Sequence, residues 1–106
     1  MPKYLIQANY SVDGTKGVLK EGGTGRRQAV AKLIESLGGR LESFYFCFGM
    51  YDAVVIADLP DNTAVAAASL AVGATGGAEV QTTALLTPEE IDEATKRHPD
   101  YRRPGG

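Results

Sequence analysis

Several groups of residues in this chain of 106 have the types and spacing for chemistry. Tyr51 and Asp52 follow an apolar run ending in Gly49-Met50. A carboxylate beside apolar strands suits a general base or a ligand anchor, because desolvation raises its affinity for a proton. The same Asp would serve equally as an acceptor for backbone amides at a turn. As neighbours on a strand, the two face opposite sides of a sheet and do not share a pocket easily. In GTKGVLKEGGTGRRQ, residues 14–28, glycine amides near Gly23 precede Arg26 and Arg27 at the start of a helical pattern. Glycine amides, a helix N-terminus and two cations make an anion site for a ligand carboxylate or phosphate, or for an acidic side chain of a partner subunit. The segment has neither the Gly-Lys-Ser/Thr of a phosphate loop nor the G-x-G-x-x-G of a dinucleotide fold.

Gln7 and Asn9, and likewise Gln81 and Thr83, are spaced by two and share a strand face. Polar groups of this kind orient small ligands in apolar hollows, and Tyr10 and Tyr45 would add hydroxyls. They equally fit solvated edges or gaps at a subunit interface. His98 is the single histidine, beside Pro99. With no second His and with Cys47 far away in sequence, it forms no metal-ligand cluster, and it suits a helix C-terminus. It joins Asp52 and Tyr51 as a candidate for proton transfer. No nucleophile elbow is present, and no cofactor motif.

The elements that must position these residues follow from periodicity. Residues 3–10, KYLIQANY, alternate as a strand. Residues 11–25 carry five glycines between Gly14 and Gly25 and read as an ordered loop. Val30, Leu33, Ile34 and Leu37 mark a helix from Arg26 capped by Thr24 and stopped by Gly38-Gly39. FYFCFGMYDAVVIA is the heart of a hairpin, roughly Arg40–Phe48 and Tyr51–Leu59, with Gly49-Met50 as a type II′ turn. Asp61 caps a small-residue helix, AEVQTTALL is a fourth strand, and Thr87-Pro88-Glu89-Glu90 is a capping box for a short helix ending near His98. The order is βαββαβ plus a C-terminal helix: an α+β, ferredoxin-like domain over residues 1–98 with a loose polar tail at 99–106.

In the hairpin, Phe44, Phe46 and Phe48 alternate with Leu41, Tyr45 and Cys47, while Val54 and Ile56 alternate with Ala53, Val55, Ala57 and Leu59. Both faces are apolar, yet the helices cover only one. A second copy of the chain is the expected cover for the other, and the alternative is the chain's own C-terminal helix.

SLGGRLESFYFCFGMYDAVVIADLPD, with Gly49, Tyr51 and Asp52 in the order G-x-Y-D, flanked by EGGTGRR and TTALLTPEE, resembles the GYD domain family over residues 3–97. The resemblance implies a dimeric α+β barrel in which two ferredoxin-like sheets pack face to face, sometimes assembling into larger rings. It implies no activity. Proteins of similar fold include cofactor-independent monooxygenases and isomerases, so an enzyme of that kind stands as the alternative to a homo-oligomer that binds a small organic molecule.

Bulk composition excludes other classes. At 43% hydrophobic and 23% charged the chain has the balance of a globular domain. A net charge of −2 opposes a nucleic-acid surface. There is no apolar signal core and no spanning segment, and one cysteine suits a reducing compartment, so a cytoplasmic protein without a membrane partner is expected.

Overall fold

In the computed structural model, which describes residues 1–106, the elements run β1 (Lys3–Tyr10), α1 (Val12–Ser36), β2 (Arg40–Phe46), β3 (Ala53–Asp58), α2 (Asn62–Ala74), β4 (Ala78–Leu85) and α3 (Pro88–Thr95). One antiparallel sheet of order β2-β3-β1-β4 gives the α+β, ferredoxin-like arrangement. At its centre Ile6 stands opposite Val55 on one side and Thr82 on the other. Strand alternation sends Tyr4, Ile6, Ala8 and Tyr10 toward the helices with Ala53, Val55 and Ala57. Tyr4, Ile34, Val55, Ala57, Leu59 and Val65 form the buried core there. Leu5, Gln7, Asn9, Val54 and Ile56 occupy the opposite face, which no helix covers.

Three local features differ from the sequence expectation. The glycine-rich stretch is helical from Val12, not a loop, and Ser11 replaces Thr24 as the cap, its Oγ accepting from the Gly14 N–H at 3.0 Å. The helix breaks only at Gly22, whose φ of 78° and ψ of 172° are open to glycine alone. Glycine also decides the start of α1: a Cβ on Gly14 would collide with the Gly77 carbonyl at the entry to β4.

Second, β2 carries a bulge between Leu41 and Ser43, which stand opposite Ala57 and Ile56. The extra residue inverts the alternation, so Leu41 and Phe44 both pack on the core. Phe46 follows Phe44 to the helix side, ring against ring at 5.1 Å. Third, the hairpin closes through the loop 47–52 instead of a two-residue turn, with the Cys47 N–H donating to the Asp52 carbonyl at 2.8 Å. Its tip exposes Phe48 and Met50.

The C-terminal part stands away from this body. The Thr87 capping box forms as expected, but α3 ends at Thr95. Every residue from Leu86 to Gly106 is exposed. The radius of gyration is 16.9 Å and the long axis 56 Å, against about 13 Å for the radius of a compact chain of this length. No helix is long and apolar enough to cross a membrane.

Candidate functional site

The space between the sheet and the two long helices is incompletely filled. Ile6, Ala8, Phe44 and Val55 form its floor, Val30 and Leu33 one wall, and Ala68, Ser69 and Val72 the other. The reason lies in α2, where NTAVAAASLAVGA is mostly small residues and leaves room over Ala8 and Ala53 that larger side chains would occupy. The inner chamber of about 70 Å³ is almost wholly apolar, with 12 of its 14 lining residues hydrophobic. It adjoins a vestibule of about 400 Å³ bounded by Gly14, Gly17, Glu21, Thr75 and Gly77. Tyr10, Arg26, Leu33, Val72 and Ala78 line both, so the two form one cleft with a greasy end and a polar mouth.

Charge is confined to that mouth. Arg26 Nη1 lies 3.2 Å from Glu21 Oε1, an ion pair spanning the Gly22 break. The break lets an acid at the end of one helical segment face an arginine in the next. The Tyr10 hydroxyl has no hydrogen-bond partner within the chain, and its ring leans on Phe46 with centroids 6.4 Å apart. Burial pushes the Tyr10 phenol above its ordinary pKa, the Arg26 charge opposing and the Asp52 and Glu21 charges assisting. It is therefore a neutral donor at physiological pH. The mouth offers a guanidinium, a phenolic O–H and a carboxylate within reach of one small head group. No three His, Cys, Asp or Glu side chains converge as metal ligands.

The residues singled out from the sequence are divided by the sheet. Arg26 and Tyr10 line the cleft. Gln7, Asn9, Tyr45 and Thr83 belong to the open face, where Tyr45 and Gln7 flank Val54 and Thr83 stands opposite Leu5. Gly23 packs under the Phe46 ring. Arg27 lies outside, along the β2 edge with Phe44 and Phe46, and makes no ion pair. Asp52 is committed to the backbone: its Oδ2 accepts from the Tyr10 N–H at 3.0 Å while its own N–H donates to the Ala8 carbonyl at 2.9 Å. Tyr51 donates to Gln81 Oε1. His98 is on the exposed C-terminal segment. The three proton-transfer candidates therefore do not meet.

Sequence reading missed Val30, Leu33, Ser69 and Val72 as site residues, because helical apolar periodicity marks a core equally whether or not the core is full. The excess of alanine in α2 was the available signal. The model of the GYD domain family matches residues 4–95, from β1 through the end of α3. No curated protein matches the chain at a significant level.

Proposed function

The chain belongs to the GYD domain family, and from that premise we propose that it is a cytoplasmic homo-oligomer whose helix–sheet cleft holds a small apolar molecule with an anionic end. The carrying observation is the cleft's polarity: apolar walls inside, with Arg26 and the Tyr10 hydroxyl at the mouth. Burying ~150 Å² of a ligand's apolar surface contributes about 4 kcal/mol gross. A hydrogen bond to a charged group adds roughly 1.5–3 kcal/mol. Walls and head group are thus of similar weight, and the head group decides which molecules bind. A ligand carboxylate would take the place of Glu21 on Arg26 and accept from Tyr10.

The test is a thermal-shift and calorimetric comparison of short alkyl and aryl carboxylic acids with the matching alcohols. The acids should stabilise the protein, and Arg26→Ala should weaken them about tenfold or more while leaving the alcohols unchanged, as loss of one charged contact requires. If no acid raises the melting temperature, or if alcohols bind as well as acids, the proposal fails. The oligomer in this reading forms through the open sheet face, where Leu5, Val54 and Ile56 are adjacent and apolar.

A further inference from the structure

A groove runs along the outer edge of β2, between that strand and α1. It comprises two adjoining hollows of about 210 and 370 Å³ that share Arg27 and Phe44, with Phe46 toward one end and Leu41 toward the other. Its lining is mixed: Leu41, Phe44 and Phe46 are apolar, the carboxylate of Glu42 is held by Lys3, and its one cation, Arg27, makes no ion pair or side-chain hydrogen bond. The C-terminal segment has the opposite character. α3 is a preformed, capped helix with Glu89, Glu90, Asp92 and Glu93 around Ile91. At 100° per residue, Ile91 and Ala94 make a narrow apolar strip with Glu90 beside it on one side and Pro88, Thr95 and then Asp92 on the other. Nothing in its own chain covers that strip, for Ile91 and the residues around it are exposed.

We propose that the arm beginning at Leu86 is a clasp, with α3 of one copy seated in the β2-edge groove of a second copy, Ile91 against Phe44 and the flanking carboxylates against Arg27. Reach argues for a second copy. Only Leu86 and Thr87 separate β4 from α3, and β4 and β2 are opposite edges of the sheet. Those edges are three strand spacings, about 14 Å, apart, so a two-residue connection does not carry α3 to its own groove. Complementarity argues the same way: a groove with three apolar side chains and one unpaired cation, its single carboxylate already held by Lys3, matches an apolar strip with acids beside it, and both are present in equal amounts in every copy. The proposal does not depend on the ligand reading.

The experiment uses full-length chains in a Cys47→Ser background. Chains carrying Ser43→Cys are mixed with chains carrying Ala94→Cys and gently oxidised, with Leu19→Cys on the outer side of α1 as the control partner. The clasp requires a mixed disulfide between Ser43→Cys and Ala94→Cys chains well above the control. A second readout is trypsin cleavage at Lys96 and Arg97: Arg27→Glu should speed it several-fold, and adding Asp92→Arg should restore protection. Equal crosslinking to both partners, or cleavage indifferent to Arg27 and to protein concentration, would show an arm free in solution and overturn the clasp.

Discussion

At the scale of single residues, the best-defined electrostatic feature lies away from the cleft. Asp58, at the end of β3, accepts from Lys3 Nζ at 2.8 Å and Arg40 Nη2 at 3.3 Å, and the β2 bulge brings Glu42 to the same Lys3 at 2.9 Å. The hydrogen bond from Lys3, with that from Arg40, holds the Asp58 carboxyl below its ordinary pKa against the cost of its burial. A depressed carboxylate contributes stability that is complete above the unfolded-state value near ~4 and disappears as pH falls through the folded value. Asp58→Asn should therefore lower the urea midpoint at pH 7, and the gap from the parent should narrow as pH is taken below about 4. Parallel midpoint curves from pH 7 to pH 2 would count against the network. Tyr10 has the opposite sign. With its pKa raised, the neutral phenol favours the fold below the unfolded value near ~10, and that contribution is lost as pH climbs. An alkaline absorbance titration should show one tyrosine ionising late, absent in Tyr10→Phe.

At the scale of elements, α1 is shaped by glycines with three different surroundings, which a substitution series separates. Gly22→Ala should cost about 1–3 kcal/mol, because its backbone conformation excludes a Cβ. Gly14→Ala should cost a similar amount, about 1–3 kcal/mol, through overlap with the Gly77 backbone. Gly17 is helical with open space where a Cβ would go, so Gly17→Ala should stabilise by about 0.5–1 kcal/mol. Chemical denaturation of the three variants tests the signs, and a destabilised Gly17→Ala would contradict a helix there. The same glycines explain what was legible in the sequence. Strand order, α2 with its Asp61 cap and the Thr87 box were readable, because alternation and caps are local signals. The first half of α1 was not, since each glycine disfavours a helix by propensity, and the contact with Gly77 that requires one at position 14 joins residues far apart in the chain. The bulge was equally silent: nothing in Leu41-Glu42-Ser43 announces an unpaired residue, yet it moves Phe44 and Phe46 to the helix side. Arg26 was picked out for its charge, but its partner Glu21 and the apolar cleft behind it depend on how α1 bends at Gly22.

At the scale of the whole molecule, the surface is large for a chain of this mass. Its 7541 Å² exceeds by roughly 1,800 Å² the area typical of a folded protein of this mass. That excess is comparable to one chain's share of a large, obligate interface. The exposed arm supplies part of it and the uncovered sheet face another part, so the two proposed contacts would draw on different surfaces. On the sheet, Leu5 and Ile56 are direct neighbours and Val54 is the next along, with Tyr45 beside it. At ~25 cal/mol/Å², about 400 Å² of apolar burial, from both copies together, offsets an association cost on the order of 10 kcal/mol. We therefore expect a stable dimer at micromolar concentration in light scattering. With the clasp removed by Arg27→Glu, Ile56→Asp should halve the mass, because an unpaired carboxylate would be trapped between the sheets. The cleft lies on the other side of the sheet, so this variant should keep its helical circular dichroism and the stabilisation by acids. Arg26→Ala should do the reverse, losing the acids and keeping the dimer. An unchanged mass for Ile56→Asp in the Arg27→Glu background would place the interface elsewhere, and a loss of both properties in either variant would mean that sheet face and cleft are not the independent surfaces their geometry makes them.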